Sequence, residues 1–109
     1  DARVLLDTFH IFKGGSSFDS TAFVGSAAMD VFHVNDYPAG ILPAKISEPD
    51  RIYPGDGIAP LRQMLKTIKN PKKPVIISLE VFNQRYYQQD ALLVAQTGLA
   101  KMKAVTDGL

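Results

Sequence analysis

The sequence predicts an α/β domain built on a parallel sheet, and two observations carry this prediction. Three short runs, RVLL, MDVFHV and PVIISLEVF, are rich in Val, Ile, Leu and Phe and do not alternate with polar residues. Such runs are typical of strands that are covered on both faces. Helical patterns follow each run, and a strand–helix alternation of this kind implies right-handed crossovers and parallel strands.

The helix between the second and third strands is predicted by its periodicity. In IAPLRQMLKTIKN, one helical face carries four large apolar residues. Pro60 suits the first turn, where no backbone N–H is needed. The apolar residues of this face are Leu61, Met64, Leu65 and Ile68.

The last helix is predicted over QQDALLVAQTGLAKMKAVTDG, with Asp90 as its N-cap and lysines near its end, where the helix dipole favours cations. Gly98 weakens it locally. Its packing stripe is predicted to be Leu92, Ala95, Leu99 and Met102.

Two connections are less regular. The first, SSFDSTAFVGSAA, is predicted to hold a short helix opened by Ser17 or Asp19. The second covers residues 35–57, where prolines and glycines exclude long regular structure. Loops of this length in compact domains are functional or disordered, which directs attention to this segment.

Composition narrows the functional classes. The 109 residues are 46% apolar and 21% charged, which is typical of one soluble globular unit. The net charge of +1 provides no broad basic field, so we expect no nucleic-acid partner. No cysteine occurs, which excludes disulfides and thiolate metal sites and fits a cytoplasmic protein. We also expect no membrane segment or signal peptide.

Three polar residues lie at the predicted carboxyl ends of the three strands: Asp7, His33 and Glu80. Parallel strands bring these ends to one face, so the side chains can converge although they are far apart in sequence. Two carboxylates and an imidazole suit a divalent ion such as Mn²⁺, Mg²⁺, Co²⁺ or Zn²⁺. A single residue of this kind at a strand end is more often a helix cap or a loop hydrogen-bonding group, and it is the set of three that favours a site.

Four segments, LLDTFHI, FHVND, DRIYPGDGI and ISLEVF, resemble in order and strand context the carboxyl-terminal part of the sugar isomerase and epimerase superfamily. These are xylose isomerase-like TIM barrels that include tagatose epimerases and inosose dehydratases. The resemblance implies that residues 1–109 form the last three βα units of a (β/α)8 barrel. A whole barrel takes about 250 residues, so we expect the N-terminal strands to lie outside this chain, which begins almost directly with a strand.

The resemblance also implies roles for five residues. Asp7, His33 and Glu80 would be metal ligands, and Glu80 would in addition be one of two catalytic acid/base carboxylates. His10 and Arg51 would contact substrate oxygens. The other catalytic glutamate of the family, which is also its fourth metal ligand, belongs to the strand before Asp7 and is not in this chain.

The expected function is therefore that of a divalent-metal-dependent isomerase or epimerase acting on a sugar or sugar derivative. Proton removal next to a carbonyl places negative charge on oxygen, and a divalent ion stabilises the resulting enediolate. The expected partners are a small sugar substrate and the remainder of the barrel, with self-association left open. The sequence does not identify the sugar, nor does it assign a role to residues 37–49, which separate the His33 segment from Arg51.

Two other interpretations stay open at this point. Metal-dependent apurinic endonucleases on the same scaffold also carry Asp-Thr-x-His and His-x-Asn-Asp segments, but they place a zinc-binding histidine where this chain has Ile52. A phosphodiesterase of that kind would also bind the phosphate backbone of DNA, and a nearly neutral chain provides little positive charge for this binding. The chain could instead be a noncatalytic barrel fragment, because fold does not determine function.

Overall fold

A computed structural model of the chain describes residues 2–24 and 26–109. Three strands form a single sheet in the order β1-β2-β3, and both neighbouring pairs are parallel. The strands are β1 (Val4–Asp7), β2 (Met29–Val34) and β3 (Ile76–Leu79). The predicted α/β class and parallel sheet are confirmed.

Five α-helices lie in the described ranges 2–24 and 26–109. Short 3₁₀ turns accompany them at Phe18–Ser20, Ser26–Ala28 and Glu48–Asp50. No helix of these ranges combines the length and apolarity that crossing a membrane requires. The helices are α1 (Thr8–Lys13), α2 (Thr21–Val24), α3 (Leu61–Ile68), α4 (Gln84–Tyr87) and α5 (Ala91–Thr106).

The main core lies between the sheet and its helices. Phe32 and Val34 of β2 point to the helical side, where they pack with the apolar face of α3. All four residues predicted for that face of α3 are buried, so this prediction is confirmed. Burying side chains of this size stabilises the fold by about 1.5–3 kcal/mol each.

The first connection follows the prediction closely. Ser17 is the N-cap of the 3₁₀ turn Phe18–Ser20, and its hydroxyl accepts a hydrogen bond from the backbone N–H of Asp19 at 3.3 Å. The short helix α2 comes directly after this turn. Asp90 likewise caps α5, since its carboxylate accepts from Leu93 N–H at 2.9 Å.

The predicted packing stripe of α5 is wrong at three of its four positions: Leu92, Ala95 and Leu99 are exposed, whereas Met102 packs against the main core. Leu92 is 66% exposed and Leu99 is 50% exposed, whereas the buried positions of the helix are Gly98 and Val105. A Cβ on Gly98 would lie 2.4 Å from Leu79 Cδ2. The missing side chain therefore lets the helix approach β3 along a face that hydrophobicity alone does not mark.

The long connection between β2 and α3 is held together by one carboxylate. Asp36 is fully buried and accepts four backbone N–H hydrogen bonds at 2.9–3.0 Å. An antiparallel bridge between Asp36 and Ile52 closes the segment. The predicted irregular structure is confirmed, and this hydrogen bonding makes it an ordered loop. The four donors are Tyr37, Gly55, Gly57 and Ala59.

Gly57 is required by this arrangement. A Cβ at that position would lie 2.2 Å from the Tyr37 carbonyl oxygen and 2.4 Å from Asp36 Oδ1. Only glycine lets the backbone come this close to the carboxylate. The PGDG sequence is thereby explained by the packing of the loop that carries Arg51.

Candidate functional site

Asp7 stands at the junction of β1 and α1. It is the last residue of the strand and the N-cap of the helix, and its Oδ1 accepts hydrogen bonds from the backbone N–H groups of Phe9 at 2.8 Å and His10 at 3.2 Å. Helix N-caps favour aspartate because its oxygen satisfies these otherwise unpaired donors. The cap fixes the carboxylate at the carboxyl edge of the sheet.

The strand register brings His33 beside Asp7. The two residues are paired across β1 and β2, and His33 Nδ1 lies 3.6 Å from Asp7 Oδ2. β2 ends at Val34, so His33 is the penultimate residue of the strand and lies at its carboxyl end, as predicted. On its other side His33 pairs with Ser78, and alternation along the strand then directs Glu80 to the same face.

The three predicted ligands form one cluster. His33 Nδ1 lies 3.4 Å from Glu80 Oε2, and one ligand atom from each of Asp7, His33 and Glu80 lies within 4.8 Å of the others. Oxygen and nitrogen donors of this kind are suited to a divalent metal ion. The donor set and its spacing therefore fit such an ion.

Asn35 orients the Asp7 carboxylate. It is fully buried, and its Nδ2 donates to both carboxylate oxygens of Asp7 at 3.2 Å each. Partners of this sort fix the direction in which a carboxylate presents its remaining lone pairs. The sequence prediction missed Asn35, although its place two residues after His33, at a strand end, was a usable signal.

Arg51 reaches the cluster from the long connection. Its side chain is 1% exposed, and its Nη1 donates to Glu80 Oε2 at 2.8 Å and to Asp7 Oδ2 at 3.3 Å. The guanidinium also lies over the rings of Phe9 at 4.5 Å and Phe82 at 5.1 Å. Charge pairing and aromatic contact together offset the cost of burying this cation.

His10 and Glu48 complete the arrangement at its solvent side. Arg51 Nη2 donates to His10 Nε2 at 3.1 Å and forms a short hydrogen bond with Glu48 Oε2. His10 Nε2 lies 3.7 Å from Glu48 Oε1. Glu48 was not predicted, because it sits in a proline-rich loop without periodicity that would mark it.

The surroundings of Glu80 favour its ionised form. Partial burial alone would raise the pKa of this carboxyl, but the hydrogen bond from Arg51 and the charges of His33 and Arg51 outweigh burial and lower the pKa below its ordinary value. Glu80 is therefore a carboxylate at neutral pH. In this state it can accept a proton or contribute an oxygen ligand.

The structure brings together all five residues singled out in the sequence. Asp7, His33 and Glu80 form the cluster, Arg51 contacts two of its members, and His10 lies against Arg51. Their chemical roles stay predictions. The arrangement combines carboxylates, an imidazole and a guanidinium, which is a combination suited to reactions at an oxygenated carbon.

Curated relatives of the chain are inosose isomerases. The chain is 29% identical over 97 residues to the inosose isomerase of Bacillus subtilis (strain 168). The matched residues are 86% of this chain and 34% of the relative. It is 31% identical over 91 residues to the inosose isomerase of Halalkalibacterium halodurans, and this match covers 81% of this chain and 31% of the relative. The chain thus spans about a third of the length of these relatives.

Solved structures share the fold. A crystal structure of the IolI protein with a bound zinc atom superposes with a TM-score of 0.82 at 25% identity, covering 94% of this chain and 37% of the other. A xylose isomerase domain protein from Alicyclobacillus acidocaldarius gives a TM-score of 0.76 at 20% identity. A family model described as a xylose isomerase-like TIM barrel matches residues 1–105. With its three parallel βα units and a match over nearly its whole length, the chain belongs to the xylose isomerase-like TIM barrel family.

Proposed function

We propose that this chain is the carboxyl-terminal part of a divalent-metal-dependent isomerase or epimerase that acts on a sugar or sugar derivative. The observation that carries the proposal is the convergence of Asp7, His33 and Glu80 from three successive strands. The inosose isomerase names of the curated relatives and the zinc atom of the IolI structure support the same reaction class and a metal.

Asp7, His33 and Glu80 are the residues that would hold the ion. When bound, a divalent cation supplies stabilisation for negative charge on the substrate's carbonyl oxygen. The mixed oxygen and nitrogen donors admit Mn²⁺, Mg²⁺, Co²⁺ and Zn²⁺. Asn35 supports this role by fixing the Asp7 carboxylate from behind with two hydrogen bonds.

Glu80 is the proposed base. As an ionised, partly accessible carboxylate it can take the proton from the carbon next to the carbonyl, which yields an enediolate. Returning the proton to the opposite face gives epimerisation, and returning it to the neighbouring carbon gives isomerisation. His10 would contact the substrate oxygens. Arg51, which is 1% exposed and donates to Asp7, Glu80 and His10, would act through these groups and hold them beside the reacting carbon.

The rest of the barrel is proposed to complete the domain. Asp7 and His33 share their sheet face with Leu5, Val31 and Ile76, because alternate residues of a strand point to one side. Leu5 is 54% exposed and Ile76 is 65% exposed. In a TIM barrel such inward-facing residues pack in layers against the other strands, which would also supply the second catalytic carboxylate.

An endonuclease activity receives less support. Ile52, at the position where such enzymes carry a histidine, offers no ligand atom and is engaged in the bridge to Asp36. Asp7, His33 and Glu80 thus lack the extra histidine that a multinuclear zinc site would take from this segment. The isomerase proposal accounts for the same residues without that ligand.

The test is proton exchange between a carbonyl sugar and solvent, followed by NMR in D₂O with the full-length protein and added metal. We expect exchange to require a divalent ion, Asp7→Asn to lose at least 100-fold of the rate together with metal binding, and His10→Ala to lower the rate while metal binding is kept. Asp19→Asn, an exposed carboxylate outside the site, is the control. Full activity of the Asp7 variant, or of metal-free protein, would contradict the proposal.

A further inference from the structure

A second cavity adjoins the metal-ligand cluster. It has a volume of about 420 Å³ and shares His10 and Glu80 with the cavity that contains Asp7 and His33. Its remaining wall includes Glu48, Arg51, Phe82 and Tyr87. This volume is in the range of small-ligand sites. A molecule reacting at Glu80 would therefore extend its non-reacting atoms towards this wall.

The charges of this wall are unfavourable for an anion. In the part of the chain that the structure describes, no lysine lines either cavity, and Arg51 is the one permanently charged cation of their walls. Its guanidinium already donates to Asp7, Glu80 and Glu48. A phosphate group would find no unpaired cation here and would meet a carboxylate instead.

Glu48 is the carboxylate that faces incoming ligands. Its side chain is 47% exposed at the rim, and it is held by its hydrogen bond to Arg51. The 3₁₀ turn that carries it is fixed by the Asp50 carboxylate, which accepts hydrogen bonds from Ser47 N–H at 2.8 Å and from Ser47 Oγ at 2.9 Å. Glu48 thus projects from an ordered turn.

A bound metal would not reverse this balance. Its charge would be compensated by its own carboxylate ligands, Asp7 and Glu80, which leaves the buried guanidinium of Arg51 paired with Glu48. Carboxylate oxygens accept hydrogen bonds from hydroxyl groups readily. The exposed aromatic side chains of Phe82 and Tyr87 offer apolar surface to the C–H groups of a sugar or cyclitol ring.

We propose that Glu48 is a specificity-determining residue that selects an uncharged polyhydroxylated carbonyl compound and rejects its phosphate ester. This inference rests on the proposed isomerase or epimerase function and names the substrate class within it. Glu48 accepts hydroxyl hydrogen bonds on the side of the substrate away from the reacting carbon. A phosphate at that place would be repelled, since both groups are anionic and the guanidinium is already paired.

The test compares a ketohexose with its 6-phosphate, and a keto-inositol with its monophosphate, in the full-length metal-loaded protein. We expect kcat/KM for solvent exchange to be at least 100-fold higher for the neutral member of each pair. Glu48→Gln should lower this ratio at least 10-fold, mainly through KM. Glu48→Gln also removes a partner of Arg51. Because the ratio compares two compounds in the same variant, a displacement of Arg51 that changes both rates equally does not alter it. Asp56→Asn, which removes a carboxylate that lines neither cavity and pairs with Lys101, should leave the ratio unchanged.

Binding to the same proteins, measured by calorimetry with the neutral and phosphorylated compounds, separates the two proposals. Exchange that favours the phosphate esters, or a ratio unaffected by Glu48→Gln, would overturn the role of Glu48 and leave the isomerase proposal standing. Absence of exchange with every compound would overturn the reaction. Preferential binding of the neutral compounds that depends on Glu48 would then still support the selectivity.

Discussion

The guanidinium of Arg51 donates a 2.8 Å hydrogen bond to Glu80, and so connects the long loop after β2 to the residue that directly follows β3. The same group contacts Asp7 at 3.3 Å, at the end of β1. One buried side chain from an irregular segment thereby touches the ends of two strands. The conformation of the 35–57 loop and the positions of the side chains at the strand ends therefore depend on each other.

Replacing Arg51 should destabilise the protein strongly. Arg51→Met leaves Asp7, Glu80 and Glu48 close together without their cation, and breaking a buried ion pair on one side costs about 3–5 kcal/mol. Arg51→Lys keeps the charge but not the forked contacts, so a smaller loss is expected. Chemical denaturation gives the free energy of unfolding of each variant. Arg85→Met, on the short helix α4, is the control, and an equal effect of both methionine variants would contradict this interpretation.

Asp36 should contribute more to stability than any exposed carboxylate of its loop. Asp36→Asn keeps the shape but replaces one acceptor oxygen by an N–H₂ group, which then faces backbone N–H groups. Each unpaired buried donor costs about 1–3 kcal/mol, so we expect a loss of about 3 kcal/mol in the free energy of unfolding. Asp56→Asn is the matched control, since Asp56 lies in the same loop and its carboxylate pairs with Lys101 at the surface. Equal unfolding midpoints for the two variants would show that the hydrogen bonds to Asp36 are dispensable.

Parts of this site could be predicted from the sequence because they follow from short-range rules. Asp7, His33 and Glu80 are found by locating the ends of buried strands, and topology then places them together. Glu48 acts through its contact with Arg51, and no local pattern encodes that contact. Its role depends on how the loop folds back, which is decided by tertiary hydrogen bonds to Asp36.

Tyr37 should make the protein sensitive to alkali. Burial, and to a lesser extent the charge of Asp36, raise the pKa of its phenol to about 12. Because the folded state holds this proton more tightly than the unfolded state, its contribution to stability is complete below pH 10 and is lost as the pH rises from 10 to about 12. Tyr37→Phe keeps the stacking on Phe12 and should reduce this loss.

The measurement for Tyr37 is the free energy of unfolding between pH 8 and 12 for wild type, Tyr37→Phe and the exposed control Tyr87→Phe. Part of the decrease in the free energy of unfolding at high pH should persist in the Tyr37 variant, because burial also raises the pKa of Tyr53. Identical pH profiles for wild type and Tyr37→Phe would refute the assignment. A flattened profile in the Tyr87 variant alone would do the same.

Gly98 should behave unlike an ordinary helical glycine. Gly→Ala within a helix normally stabilises by about 1 kcal/mol, but here the new methyl group would lie 2.4 Å from Leu79 Cδ2. Overpacking of this kind costs about 1–3 kcal/mol, so we expect Gly98→Ala to lower the free energy of unfolding by about 1 kcal/mol. In a Leu79→Ala background the clash is gone, and the same substitution should become stabilising. That reversal, measured as a double-mutant cycle, distinguishes close packing of α5 on β3 from a general effect on the helix. Stabilisation by Gly98→Ala in both backgrounds would mean that the helix does not need the glycine to approach the strand.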